Sequence, residues 1–177
     1  DATVAANALL LNGLLVTAHA LDGLAHAVEA LCGHAIGARD RQALRRTLVV
    51  AGGWSLLGSL GFALLFLLGG EPFLRLQTDM PEVLATARAY LPWLALLPLL
   101  TVWSYLLDGL FIGATRAREM RDAMLLAALL ALPVGWLLQG WGNHGLWLAF
   151  CLFMLARSLA MAVMARRLWP RLIEADR

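Results

Sequence analysis

The chain alternates between long apolar segments and short polar connections. A helix that crosses a bilayer needs about 20 mainly apolar residues, and five segments of the chain meet or approach that length. They lie near residues 4–36, 48–68, 83–112, 124–138 and 146–165. The pattern therefore predicts an all-α fold, a polytopic membrane helix bundle with about five transmembrane helices.

The first segment carries polar or small residues at helical spacing within an otherwise apolar sequence. They recur at steps of three, four or seven residues, so they fall on one face of an α-helix. This polar stripe consists of Asn12, His19, Asp22, His26, Glu29 and Gly33. An ionisable side chain at bilayer depth costs roughly 2.5–3.5 kcal/mol on insertion scales. We therefore expect the polar stripe to face a protein interior or a water-filled cavity, and not lipid.

Composition supports a membrane protein and argues against a nucleic-acid-binding protein. Hydrophobic residues make up 61% of the 177 and charged residues 15%, whereas about a quarter of a soluble domain is charged. The net charge of +2 is too small to favour nucleic acid as a partner. The expected surroundings of the chain are therefore membrane lipid.

The positive charges, all of them arginine, predict a topology. Two of the fourteen, Arg75 and Arg88, lie on the side of the second and fourth connections. Eleven others follow the first, third and fifth segments: Arg39, Arg41, Arg45, Arg46, Arg116, Arg118, Arg121, Arg166, Arg167, Arg171 and Arg177. Because cytoplasmic connections carry an excess of positive charge, we expect the C-terminus to be cytoplasmic. The chain starts with Asp1 and is interpreted as the C-terminal piece of a longer protein.

Three charged residues are predicted to share one layer of the membrane. From the rise of 1.5 Å per residue, Glu29 and Asp108 lie roughly 12 Å from the arginine-rich side and Arg157 roughly 13 Å, while Asp22 lies deeper, roughly 22 Å in. Arg157 is expected to be the structural partner of Glu29 or of Asp108. One acid then lacks a full partner, and desolvation favours its neutral form. That acid, together with Asp22, is a candidate site for a proton or a coupling cation.

Other patterns support weaker hypotheses. His19 and His26 with two carboxylates could ligate a metal ion, although four ligands spread along one helix cannot converge without a second helix. Gly53 and Gly61 mark a possible close-packing face of the second segment. Cys32 and Cys151 are expected to be buried free thiols. Because the sequence carries no hydrolase or nucleotide-binding motif, we expect no enzymatic activity, no metal and no cofactor beyond the coupling ion.

Three motifs carry a resemblance to a known family: HALDGLAHAVEALCGHAIGARD, YLLDGLFIGATRAREMR and GNHGLWLA. In order and spacing they resemble the multidrug and toxic compound extrusion (MATE) transporters, in their DNA-damage-inducible F branch. The resemblance covers the whole chain and implies that residues 1–177 form most of the C-terminal lobe, the last five of twelve helices. It also implies exchange of organic cations or amphiphiles for protons or sodium ions, and places Asp108 at an acidic ion-site position of the tenth helix.

Together these arguments predict a secondary antiporter of the plasma membrane, the inner membrane of a bacterium. Asp22 and Glu29, with Asn12 and His26 on the same face, line the substrate and ion pathway. Asp108 binds or senses the coupling ion. The expected partners are small organic cations, lipid and the N-terminal lobe of the same polypeptide. The alternatives are a lipid-linked saccharide flippase of the same superfamily, an intramembrane metalloenzyme and a purely structural subunit.

Overall fold

The computed structural model describes residues 2–172, and every regular element within them is helical. The elements are α1 (Ala2–Gly37), α2 (Arg41–Arg75), α3 (Pro81–Gly113), α4 (Ala117–Leu137), a 3₁₀ turn (Leu138–Trp141) and α5 (Gly142–Leu168). The all-α prediction is thus confirmed. Arg177 and the predicted cytoplasmic C-terminus lie outside the described residues.

The predicted count of five spans is corrected to four. By length and composition, four helical stretches are able to cross a membrane, and the fourth is the 52-residue run Ala117–Leu168. This run contains both the fourth and the fifth predicted segments, because the 3₁₀ turn continues the helical backbone between α4 and α5. The chain reverses at Gly142, whose φ of 56° suits glycine. Beyond that point α5 packs back along α4, with Ala149 facing Gly135.

The turns after α1 and α3 share one backbone geometry. Arg39 and Thr115 adopt φ of 57° and 56°, the left-handed conformation that closes a Schellman motif. In the first turn the Asp40 amide donates to the Ala35 carbonyl at 2.9 Å. The Asp40 side chain then caps α2, accepting the Ala43 amide at 2.9 Å. The short, capped turn after α1 makes α1 and α2 neighbours, whereas α4, which has no side-chain cap, packs mainly against α5.

Helix α3 lies at the centre of the bundle and packs against α1, α2 and α5. It is also the helix with the largest buried fraction. One apolar cluster joins its first half to α1, α2 and the start of α5 around Leu10, Phe66 and Leu94. A second cluster lies at the arginine-rich end, around Cys32, Leu44 and Leu110. Helix α4 is peripheral, since only Ala123 and Ala127 are buried on it.

Close helix packing occurs at glycines other than those predicted. A Cβ added at Gly109 would overlap the Ala25 carbonyl oxygen, and one at Gly113 would overlap that of Glu29, so the backbones of α1 and α3 touch. By contrast, a Cβ at Gly53 or Gly61 would meet nothing within 4 Å among the described residues. The possible packing face of α2 thus has no partner among residues 2–172, where these glycines point out of the bundle, and it stays a prediction.

Candidate ion and substrate pathway

An ion pair between α3 and α5 is the most buried charged contact among the described residues. Arg157 Nη2 donates to Asp108 Oδ2 at 2.6 Å, and the two side chains are only 11% and 15% exposed. Arg157 Nη1 donates to Ser104 Oγ at 3.1 Å. The hydroxyl of Ser104 in turn donates to the Thr101 carbonyl at 2.8 Å. Sequence analysis left Glu29 or Asp108 as the partner of Arg157, and the structure selects Asp108.

The second oxygen of Asp108 has no hydrogen-bond partner among the described residues, although it is fully buried. A buried carboxylate oxygen without a donor is unfavourable, since it has lost water and gained nothing. Asp22 of α1 and Tyr105 of α3 both lie within electrostatic range of this carboxyl. Oδ1 of Asp108 is therefore a buried acceptor without a donor among the described residues, within electrostatic range of a second acid, which suits a proton or a small cation.

The polar stripe of α1 does not face the core of this bundle. Asn12, His19, Asp22 and His26 are exposed, and Glu29 is 37% exposed. The buried face of α1 runs one position away, through residues such as Leu10, Leu21 and Val28. The expectation of an interior position is thus not met within this chain. The close contacts of Gly109 and Gly113 with the backbone of α1 place its small and apolar side chains toward α3.

Three of the stripe side chains make hydrogen bonds at the surface of the bundle, two within α1 and one to the residue Gln77 after α2. The His26 ring nitrogen Nδ1 lies 3.4 Å from Glu29 Oε2, and His19 Nδ1 lies 2.6 Å from the Leu15 carbonyl oxygen. Asn12 Nδ2 donates to Gln77 Oε1 at 2.9 Å. For Asp22 the geometry gives no such fixed partner among the described residues. The stripe thus presents two carboxylates, two imidazoles and an amide to whatever covers α1.

A metal centre finds no support in this arrangement. Among residues 2–172 no three His, Cys, Asp or Glu side chains converge on a point that could hold a metal ion. The reason is geometric, because His19, Asp22, His26 and Glu29 are spread along α1, and the two acids of the neighbouring α3, Glu82 and Asp108, lie near opposite ends of that helix. The metalloenzyme hypothesis therefore has no built site in the described part of the chain.

A hydrogen-bonded cluster joins the start of α1 to the start of α5, at the end of the bundle away from the arginines, and the sequence did not predict it. Asn7 and Asn143 exchange amide hydrogen bonds of 2.7 and 3.0 Å, and Trp147 Nε1 donates to Asn7 Oδ1 at 3.0 Å. Nearby, the His144 ring nitrogen Nδ1 accepts the Trp93 indole N–H at 3.1 Å. Asn7 lies in an apolar segment without a polar pattern around it. Its hydrogen-bonding role is therefore visible only in the folded chain, where Asn143 lies beside it.

Comparison with known proteins identifies the family. The MatE family model matches residues 1–137. The chain belongs to the MatE family of transporters. It is 46% identical over 172 residues to the DNA damage-inducible protein F of Escherichia coli (strain K12), an alignment that covers 94% of this chain. The chain spans 36% of the length of that MATE relative. Both the family and the branch predicted from the sequence motifs are thereby confirmed.

A solved structure supports the same fold. The crystal structure of the eukaryotic MATE transporter AtDTX14 superposes on 98% of this chain and 40% of its own length, with a TM-score of 0.88. The sequences are 18% identical in that alignment, so the match concerns the fold. A multi-pass membrane protein of the MATE fold is therefore shown by sequence and structure together. The roles predicted for Asp22, Glu29 and Asp108 stay predictions.

Proposed function

We propose that this chain forms most of one lobe of a secondary antiporter, which exports organic cations or toxic amphiphiles in exchange for protons or sodium ions. The observation that carries the proposal is the exposed acidic stripe of α1, in a chain of the MATE family. Carboxylates at bilayer depth are too costly to face lipid. Their exposure on this chain therefore implies a water-filled cavity, closed on its far side by another lobe.

The stripe gives that cavity wall a negative potential. Asp22 and Glu29 lie seven residues apart, roughly 10 Å along α1, and both are at least partly exposed. A cavity lined by charge of one sign, with low-dielectric walls, concentrates ions of the opposite sign. Organic cations are the substrates such a wall attracts. Asn12 and His26 add hydrogen-bonding groups on the same face of the helix.

Coupling is assigned to Asp108. One of its oxygens is held by Arg157 at 2.6 Å, and the other is buried without a donor. A proton or a sodium ion bound at Oδ1 would satisfy that oxygen and offset the nearby charge of Asp22. Alternating access then follows if binding of the coupling ion and binding of substrate favour opposite arrangements of the two lobes.

The proposed orientation in the membrane and the proposed partners agree with a cation antiporter. The arginine-rich connections are placed on the cytoplasmic side of a plasma membrane, which in bacteria is the inner membrane. The partners are small organic cations, the surrounding lipid and the N-terminal lobe of the same polypeptide. A lipid-linked saccharide flippase would need cationic groups to meet phosphate. The stripe offers carboxylates instead, so the flippase reading ranks second.

The test is transport by the intact protein in proteoliposomes. Efflux of a fluorescent organic cation is measured under an imposed proton gradient and then a sodium gradient, for wild type, Asp22→Asn, Glu29→Gln and Asp108→Asn. Asp79→Asn, an exposed acid between α2 and α3, is the matched control. We expect Asp108→Asn to abolish gradient-driven efflux and the stripe variants to weaken substrate affinity. If all three variants transport as the control does, the proposal fails.

A further inference from the structure

The guanidinium group of Arg157 divides its hydrogen bonds between two side chains of α3. One arm, Nη2, donates to Asp108 Oδ2 at 2.6 Å. The other arm, Nη1, donates to Ser104 Oγ at 3.1 Å. Arginine and a carboxylate frequently meet as a fork, in which two parallel N–H groups bond the two carboxylate oxygens. The contact between Arg157 and Asp108 therefore uses only half of that fork.

Ser104 is oriented to accept the second arm of the guanidinium. It lies four residues before Asp108, so the two side chains project from the same face of α3. The hydroxyl proton of Ser104 is committed to the Thr101 carbonyl at 2.8 Å, which turns the lone pairs of Oγ toward Arg157. The Ser104 side chain is fully buried, so its hydroxyl is shielded from bulk water. The serine is thus a fixed acceptor for Nη1.

The unpaired oxygen of Asp108 is the counterpart of this division. Oδ1 is buried and has no hydrogen-bond partner among the described residues. The N–H groups of Nη1 are close donors, because Nη1 shares its carbon with the Nη2 that already bonds Oδ2. The acceptor at Ser104 holds them away from Oδ1. Without that hydroxyl, a buried N–H and a buried carboxylate oxygen would both lack a partner, and pairing them would remove both penalties.

We propose that Ser104 is a positioning residue, which keeps the pair of Arg157 and Asp108 open so that Oδ1 is free to bind the coupling cation. This inference rests on the coupling role proposed above for Asp108. Ser104 acts through Arg157 and does not itself bind the cation. In an open pair the cation meets a free carboxylate oxygen, whereas in a closed fork it competes with an N–H donor already bonded there. The hydroxyl therefore sets the affinity for the coupling cation.

The experiment compares Ser104→Ala with Ser158→Ala in the intact protein. Ser158 is the matched control, because its buried hydroxyl also joins α5 to α3, by donating to the Leu100 carbonyl at 2.9 Å. Efflux of a fluorescent organic cation from proteoliposomes is measured over a range of the proton or sodium concentration that drives it. We expect Ser104→Ala to raise the concentration for half-maximal efflux at least about tenfold, because a charge-assisted hydrogen bond has to be broken first. The maximal rate of Ser104→Ala, and the whole curve of Ser158→Ala, should stay close to wild type.

Asp108→Asn in the same assay separates this inference from the proposed function. If Asp108→Asn transports as wild type does, the coupling role fails and the role of Ser104 fails with it. If Asp108→Asn abolishes efflux while Ser104→Ala keeps the wild-type half-maximal concentration, the coupling role stands and the positioning role is refuted. Equal shifts in Ser104→Ala and Ser158→Ala would refute it too, since both variants would then only loosen the contact between α3 and α5.

A structure of the Ser104→Ala variant by electron cryomicroscopy gives a readout that does not involve transport. We expect Arg157 to bond both oxygens of Asp108 in that variant, with Nη1 within hydrogen-bonding distance of Oδ1. A guanidinium that keeps its single bond to Oδ2, as in the wild-type arrangement, would overturn the proposal.

Discussion

The buried ion pair between Asp108 and Arg157 can be separated into its structural and functional parts by a double-mutant cycle. The three variants are Asp108→Leu, Arg157→Met and the two changes combined. Each single change leaves one charge buried without its partner, whereas the combination replaces both charges with apolar side chains of similar volume. The cycle asks whether the pair serves only to join α3 to α5, or whether Asp108 is needed for another reason.

The structure sets the size of the expected effects. The Arg157 and Asp108 side chains are 11% and 15% exposed, so either charge left alone stays largely out of water. Removing one partner of such a pair costs about 3 kcal/mol or more of stability, while replacing both is close to neutral. Ser104 keeps its bond to the Thr101 carbonyl in every variant, which limits secondary losses. We therefore expect the double variant to lie within about 1 kcal/mol of wild type.

The assay has two readouts on the same intact protein. Unfolding by sodium dodecyl sulfate in mixed micelles, followed by circular dichroism, gives the relative stabilities. Gradient-driven efflux from proteoliposomes then asks whether the stable double variant transports. A double variant that is stable but inactive would support the coupling role of Asp108. A stable and active double variant would refute that role, and additive stability losses would refute the ion-pair reasoning itself.

Three further predictions concern the packing and the caps. Gly109→Ala should destabilise the bundle by about 1–3 kcal/mol through overlap with α1, whereas Gly53→Ala, where an added Cβ meets no described residue, should be neutral or slightly stabilising in the same micelle unfolding assay. Asp40→Ala should cost about 1 kcal/mol by removing the cap of α2, and Asp40→Asn should retain most of that stability. Asn7→Ala should cost about 1–3 kcal/mol because it leaves the Trp147 indole N–H without its acceptor, measured by thermal unfolding in detergent.

The helical elements and much of the charged layer were predictable because they follow from local sequence. Apolar runs interrupted by arginine clusters give the helices, and residue counts from the helix ends placed Asp108 and Arg157 at matching depth. The choice between Asp108 and Glu29 as partner was not predictable, since it depends on which faces of α3 and α5 meet. The span count differed because no non-helical residue separates α4, the 3₁₀ turn and α5, so the two predicted helices form one helical run, although the chain reverses within it at Gly142.

The glycines also show that local sequence does not determine which helix faces meet. Gly53 and Gly61 fit a small-residue pattern as well as Gly109 and Gly113 do, yet within residues 2–172 only the second pair touches the backbone of another helix. A spacing rule identifies a face that is able to pack closely, but the neighbour is chosen by the whole bundle. Asn7 is a contact that no spacing rule predicts. It is a single amide in an apolar segment, and its partner Asn143 is brought beside it only by the fold.

The exposure of the polar stripe links the fold to the proposed function. Helix α1 places its small and apolar side chains against α3, and the contacts at Gly109 and Gly113 leave no room for it to rotate. The carboxylates are therefore held outward at bilayer depth, where lipid would penalise them. On α3, one turn past the contact region of Ser104, Asp108 keeps one oxygen on Arg157 and the other vacant. The proposed exchange of a substrate cation for a coupling cation rests on this arrangement, an outward acidic stripe on α1 and a buried acid on α3 with one oxygen unpaired among the described residues.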